Sequence, residues 1–244
     1  MIKRLPVPLR VIAWALSDWW DDWINMALIN LVWLLCWVTI VLGPPATFGL
    51  YYVTNQLAHG RSLGLRGLVE GGKRYFAKSW LWMLLNLVVA LVLAVNIWFY
   101  GQFDADWAGI VRAFPLFLGL AWLVIQFYAL PYLMEQKEES LKLALRNGLF
   151  TLLAAPGYTA VVAGLAALIA VLSVWLVAPL LIGGPCLIAT LGNRAVRERL
   201  ETYALFSARV REREATRKES NEGGHSDEAE AAASAIREGL ISTG

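Results

Sequence analysis

The stretch IVLGPPATFGLYYV, residues 40–53, decides how this chain folds. It lies in an uncharged run, residues 23–60, that is too long for a single membrane crossing, since one helix needs about 20 residues to cross the hydrocarbon core. Proline breaks a helix from within but is tolerated in its first turn. Gly43, Pro44 and Pro45 therefore predict a tight turn, with one helix ending before them and another beginning at the prolines.

Three further uncharged runs follow, residues 79–100, 113–134 and 150–193, and the last is long enough for two crossings. Only 16% of the chain is charged, against about 25% in an average globular domain. The pattern predicts an all-α fold, a polytopic transmembrane helical bundle of about six spans in three hairpins with cytoplasmic amphipathic helices. We expect the last turn near residues 177–179 and a kink at 183–185.

The positive charges give an independent prediction of topology. Every Lys and Arg except Arg112 lies in one of four segments, residues 1–22, 61–78, 135–149 and 194–244. Six spans would place all four segments on the same side of the membrane. Because Lys and Arg accumulate in cytoplasmic loops, this side is predicted to be the cytoplasm, and both termini with it.

These patterns divide the chain into four parts. They are an amphipathic, interfacial N-terminal segment (1–24), a transmembrane bundle (25–193), a charged cytoplasmic helix (194–219) and a tail (220–244). The tail is rich in Gly, Ser, Ala and acidic residues, which predicts disorder, with a short terminal helix around Ala231–Ile241 as the alternative.

An amphipathic stretch precedes each predicted hairpin, at residues 9–23, 65–78 and 136–150. Such helices lie in the plane of the lipid headgroups. The second is a basic interfacial helix, with Arg66, Lys73, Arg74, Phe76 and Lys78. Its basic residues predict attraction to anionic lipid in the bilayer. The chain is therefore predicted to consist of three units, each a surface helix followed by a hairpin.

The residues that enzymes need are scarce. His59 and His225 are the only histidines, and Cys36 and Cys186 lie alone within apolar segments. The glycine-rich residues 60–72 lack the Gly-Lys-Ser/Thr ending of a phosphate loop. We predict no catalytic, cofactor or metal site, no enzymatic activity and no nucleic-acid partner.

The predicted spans contain neutral polar residues, of which Asn30, Asn86 and Gln126 are the main candidates for a function. Hydrogen bonds between helices explain such residues without a substrate. Alternatively, they could line a path for a neutral solute such as a sugar. The spans hold no charged residue, which argues against coupling to an ion gradient.

The segments GPPATFGLYYV and GGKRYFAKSW resemble the YesL-like family of bacterial membrane proteins, a domain of unknown function. The matching positions are Gly43, Pro44, Thr47, Leu50, Tyr51, Tyr52, Val53, Arg74, Phe76 and Lys78. The chain departs from the family in its second proline, Pro45, and in a longer charged tail. The resemblance implies a multi-pass protein of the bacterial inner membrane. Since family members tend to be encoded beside carbohydrate ABC transporters and glycoside hydrolases, it also implies a supporting role in saccharide uptake.

The function expected from these observations is a non-enzymatic accessory or assembly factor for carbohydrate uptake. Its expected partners are the lipid bilayer and a membrane protein such as an ABC transporter permease. One alternative is a small permease or channel for a neutral solute. Another is a membrane-anchored regulator that acts through its C-terminal tail.

Overall fold

A computed structural model describes residues 6–103 and 106–241, and all regular structure within them is helical. This confirms the predicted all-α class. The helices of these residues are α1 (Val7–Asp21), α2 (Trp23–Val38), α3 (Gly43–Ala58), α4 (Gly64–Arg74), α5 (Phe76–Tyr100), α6 (Asp106–Glu135), α7 (Leu141–Ala154), α8 (Pro156–Leu176), α9 (Ala178–Ile182) and α10 (Gly184–Ile241).

Three of the described helices are long and apolar enough to cross a membrane, namely Phe76–Tyr100, Gly109–Glu135 and Pro156–Leu176. A fourth is added if α1 and α2, which meet at a bend of 87°, count as one broken span. α2 and α3 have 16 residues each, a length of about 24 Å, which is shorter than the hydrocarbon core of about 30 Å. The chain is therefore a helical membrane-protein candidate with three to four spans, and the count of six stays a prediction.

The short helices α1, α4 and α7 are each followed by a more apolar helix, α2, α5 and α8 respectively. α1 turns through 87° into α2 at Asp22. α7 begins after Ser140, whose hydroxyl accepts a hydrogen bond from the backbone N–H of Leu143 at 3.4 Å. This N-cap satisfies one of the free N–H groups of the first helical turn.

The basic interfacial helix is shorter than its sequence predicts. α4 ends at Arg74, and Phe76 and Lys78 belong to the first turn of α5. The break falls at Tyr75, which is 3% exposed and packs its ring at 6.0 Å from that of Phe48. Tertiary packing of this tyrosine thus ends a helix that the amphipathic pattern alone would continue.

The last apolar run is interrupted at two positions. α8 ends at Leu176, Val177 has a left-handed backbone (φ 57°), and Gly183 has φ 143°. The short helix α9 lies between these two breaks, so both of the Pro/Gly signals in this run interrupt the helix. The structure thus breaks this run at Val177 and again at Gly183, and the assignment of a hairpin turn to residues 177–179 and of a kink to residues 183–185 stays a prediction.

The chain divides into two units, residues 1–198 and residues 199–244. The first unit contains two buried clusters, one centred on Phe48, Tyr128 and Leu191 and the other on Met26, Leu50 and Cys186. α3 is the central element, because 11 of its 16 residues are buried. In α5 the buried residue is Ser79, so most of this apolar helix faces outwards, as a lipid-facing span does.

The second unit is a helix over its described residues, which end at Ile241. Residues 220–241 were predicted to be disordered from their composition, and here the structure differs. Ala and Glu recur from residue 228 onwards, and both are strong helix formers. Residues 242–244 lie outside the described part of the tail.

Candidate functional site

The Gly-Pro-Pro motif forms the first turn of α3, after a short connection from α2. The ring of Trp37 lies over Gly43, where an added Cβ would come within 2.7 Å of its Cδ2 atom. Only glycine fits beneath that ring. Pro44 and Pro45 follow as buried residues at helix positions where the missing N–H of proline has no cost.

The hydroxyl group of Thr47 forms hydrogen bonds with both α2 and the first turn of α3. Its hydroxyl oxygen accepts hydrogen bonds from the indole N–H groups of Trp33 at 3.0 Å and Trp37 at 3.2 Å. The same hydroxyl donates to the carbonyl of Gly43 at 3.0 Å. A single side chain thus joins α2 to α3 and satisfies two indole donors that have few alternatives in an apolar environment.

α3 and α4 pack at the distance that only glycine permits. A Cβ on Gly49 would lie 2.2 Å from the carbonyl oxygen of Leu68, and one on Gly72 would lie 3.2 Å from the carbonyl oxygen of Pro45. A Cβ on Gly71 would lie 2.7 Å from the Cβ of Tyr52. The buried face of α4 is therefore held against α3 backbone to backbone, in the manner of small-residue helix interfaces.

The two motif tyrosines have different surroundings. Tyr52 donates a hydrogen bond from its hydroxyl to Glu70 of α4 at 3.3 Å, and its ring lies 6.5 Å from that of Tyr75. The backbone carbonyl of Tyr51 accepts a hydrogen bond from Asn193 of α10 at 3.2 Å. The motif of α3 thus contacts both α4 and α10.

Glu139 links the basic residues to the loop between α6 and α7. One carboxylate oxygen accepts a hydrogen bond from Arg74 at 2.7 Å, and the other accepts one from Lys78 at 2.6 Å. Both cations also lie over the ring of Tyr75, at 5.5 and 5.6 Å from its centre. Glu139 has φ 48°, a backbone that costs a non-glycine residue energy, so this ion cluster holds the loop in a strained conformation.

The pKa values of this cluster follow from its contacts. Partial burial raises the pKa of Glu139, but hydrogen bonds from Lys78, Arg74 and Tyr75 outweigh it and hold the pKa below its usual value. Burial, followed by the charge of Glu139, raises the pKa of Tyr75 to about 12. The Glu139 carboxyl is therefore an ion that the fold stabilises.

Further polar contacts join the segments that flank the hairpins. Arg194 of α10 forms an ion pair with Asp18 of α1, with one contact of 2.6 Å, and Arg10 pairs with Glu198. Three further links are Ser62 to Asp22 at 2.6 Å, Asn55 to Glu135 at 2.7 Å, and His59 to Glu135 at 3.7 Å. The four basic segments of the sequence are thus connected through these contacts and those of Glu139.

The predicted intramembrane polar residues all take part in contacts between or along helices. Asn30 donates from its amide to the carbonyls of Leu180 and Leu181 in α9. Trp122 donates to Asn86 at 3.0 Å, and Trp82 donates to Gln126 at 2.8 Å, so two bonds join α5 to α6. Each of the three residues has a structural partner.

The other two basic candidates, Arg66 and Lys73, are exposed on α4, and no acidic side chain pairs with them among the described residues. The sequence candidates thus fall into three places: the turn and α3, the Glu139 cluster, and this open face of α4. Glu139 and Gly49 belong to these sites but are not among the candidates that the sequence patterns indicate. The Gly67–Gly71 spacing could have indicated the close contact of α4, whereas Glu139 has no local signal.

Three cavities of the first unit are mostly apolar. They have volumes of about 510 Å³ between α5 and α6, about 310 Å³ beside α4, and about 260 Å³ among α2, α3 and α8. No group of three metal-ligating side chains occurs in the part of the chain that the structure describes. No family model, no curated protein and no solved structure matches the chain.

Proposed function

We propose that this chain is a bacterial inner-membrane protein in which six membrane segments form three hairpins and both termini are cytoplasmic. We propose further that it acts as a non-enzymatic accessory or assembly factor, associated with an ABC-type carbohydrate transporter. The membrane class is supported by the apolar helices, and the link to carbohydrate uptake is supported by the resemblance to the YesL-like family.

The contacts between the basic segments support the placement of these four segments on one side of the membrane. Arg194 contacts Asp18, Ser62 contacts Asp22, and Glu139 contacts Arg74 and Lys78. Side chains that pair directly must lie on the same side of the membrane. An even number of crossings between successive basic segments meets that requirement, and the excess of Lys and Arg makes this side cytoplasmic.

The interior supports an accessory role over a solute path. A polar solute must exchange its hydration for hydrogen bonds from the protein, and the cavities supply few donors or acceptors. Asn30, Asn86 and Gln126 are engaged with neighbouring helices. These polar residues therefore serve the packing of the bundle.

The observation that carries the proposal is an apolar stripe on the second unit. Tyr203 is 50% exposed and Phe206 66% exposed, and half-buried Val210 shares their face of a helix that is otherwise highly charged. Exposed aromatic residues of this kind are enriched where proteins bind each other. We assign this stripe, defined by Tyr203, Phe206 and Val210, to contact with the transporter.

Site-specific photo-crosslinking in cells tests the proposal. A photoreactive amino acid at Phe206 should capture a membrane subunit of a saccharide transporter, whereas the same probe at Ala208, on the opposite face, should not. With the probe kept at Phe206, the double substitution Y203A/V210A should abolish the adduct without loss of the folded bundle. Capture of a soluble protein alone would favour the membrane-anchored regulator, which the same stripe also supports.

Transport by the purified chain would contradict the accessory role. In liposomes we expect no movement of sugar against a gradient, since the predicted spans contain no charge for coupling to ions. Saturable passive flux of a neutral sugar would show that the chain is a permease and not an accessory factor.

A further inference from the structure

The basic residues around α4 fall into two groups. Arg74 and Lys78 share the carboxylate of Glu139. Lys73 and Arg66 are exposed, and no acidic side chain of the described residues pairs with them. The second pair is therefore available to an anion from outside the protein.

An apolar cavity of about 310 Å³ opens beside Lys73. Its walls come from four elements, through Val32 and Cys36 of α2, Leu42 and Pro45 at the hairpin turn, Val69 of α4, and Phe76 of α5. Lys73 is the single charged residue among the described residues that line it. The volume is at the lower end of the range for ligand pockets, about 300–1,000 Å³.

The surface around this cavity is also apolar. Leu65 is 40% exposed, Val69 54% and Phe76 46%, and Leu42 at the turn is 46% exposed. Exposed apolar surface of this kind marks contact with lipid or with another protein, and lipid is favoured here because the neighbouring helix α5 is a candidate membrane span. The cavity thus combines a lipid-facing opening with a cation at its rim.

We infer that this cavity binds one anionic phospholipid. Part of an acyl chain fills the space between Cys36, Pro45 and Phe76, and the lipid phosphate binds the ammonium group of Lys73. Arg66 lies on the same face of α4, about 10 Å along the helix, and adds to the attraction for the headgroup. A zwitterionic lipid carries a positive group beside its phosphate. The ammonium group of Lys73 therefore attracts a zwitterionic headgroup less strongly than an anionic one.

Native mass spectrometry of the purified full-length chain tests the inference. With matched amounts of phosphatidylglycerol and phosphatidylcholine, we expect one phosphatidylglycerol to be retained with roughly tenfold preference. K73A should remove most of that preference. The matched control K142A, which deletes an exposed lysine of α7, should keep it. Equal retention of the two lipids, or an unchanged preference in K73A, would overturn the inference.

Cys36 provides a second readout that needs no substitution. It lines the cavity, whereas Cys186 is fully buried elsewhere, so the rate of alkylation by N-ethylmaleimide reports the occupancy of the cavity. Phosphatidylglycerol should slow the reaction several-fold more than phosphatidylcholine does. Inorganic phosphate should leave the rate unchanged. Either of two results would overturn the inference. Protection of Cys36 by phosphate alone, as strong as that by the lipid, would mean that no acyl chain is needed, and equal protection by the two lipids would mean that Lys73 selects no anionic headgroup.

Discussion

Thr47 is the residue at which the polar contacts of the first hairpin meet. Two indole N–H groups, from Trp33 and Trp37, depend on its hydroxyl oxygen. In an apolar environment an unpaired donor costs about 1–3 kcal/mol, which is more than a satisfied hydrogen bond contributes. The orientation of α2 against α3 therefore rests on one hydroxyl group.

We expect Thr47→Val, which keeps the shape and removes the acceptor, to destabilise the protein by about 1–3 kcal/mol. Thermal unfolding in detergent measures the effect. The matched control is the same substitution in a W33F/W37F background, where there are no indole donors left to satisfy and the cost should be much smaller. An equal cost in both backgrounds would show that Thr47 acts through packing rather than through these bonds.

Glu139 gives the cluster with Arg74 and Lys78 a dependence on pH. Because its folded pKa is lowered, its ionised form contributes stability at pH values above the unfolded pKa, about 4.3, and this contribution is lost as the pH falls through the folded pKa. We expect Glu139→Gln to lower stability by about 1 kcal/mol at pH 7, a modest value since Arg74 is largely exposed.

Unfolding temperatures of the parent and E139Q, measured from pH 7 downwards, check this expectation. The difference between them should shrink below about pH 4.3. Glu138→Gln is the control, since Glu138 is exposed beside Glu139 and forms no ion pair with another described side chain. A difference that stayed constant with pH would mean that the ionisation of Glu139 contributes nothing.

At the scale of elements, the contact between α3 and α4 depends on the missing side chain of Gly49. Its position lies against the backbone of Leu68, which cannot move aside as a flexible side chain could. α4 is short, and within the described part of the chain the polar contacts of its exposed residues are limited to those of Glu70 with Tyr52 and of Arg74 with Glu139. Close backbone packing against α3 is what fixes it.

Gly49→Ala should therefore separate the two helices and destabilise the protein by about 2–4 kcal/mol. Gly164→Ala is the matched control, because Gly164 lies within α8 and an added Cβ meets nothing within 4 Å. This control should be neutral, or more stable by up to about 1 kcal/mol, from helix propensity alone. Similar melting temperatures for the two variants would contradict the close packing of α3 and α4.

At the scale of the whole molecule, the ion pairs among the basic segments predict which loops share a side. In a background without Cys36 and Cys186, a cysteine at Gln102 should react with an impermeant thiol reagent in intact cells. Cysteines at Arg66 and Glu138 should react only after the membrane is opened. Asp104, the acidic residue of the same outer loop, lies outside the described residues, so Gln102 serves as the probe. Labelling at Arg66 in intact cells would contradict the proposed topology.

The sequence by itself determines the all-α class and the presence of helices apolar enough to cross a membrane. Long uncharged runs are local and need no partner to be recognised, since the cost of burying charge in hydrocarbon acts on each residue separately. The proline constraint at Pro44 and Pro45 is equally local, and α3 begins where it predicts. The same local patterns predict that α4 continues past Arg74 and that residues 220–241 are disordered. In the structure α4 ends at Arg74 and residues 220–241 are helical.

Only the tertiary structure decides which polar groups meet. Lys73, Arg74 and Lys78 look alike in the sequence, yet Glu139, more than 60 positions further along, pairs with two of them and leaves Lys73 at the rim of a cavity. Gly49 likewise matters because the backbone of Leu68 passes over it. Pairings of this kind depend on the distance between residues far apart in the chain, and no local pattern of hydropathy, charge or proline specifies that distance.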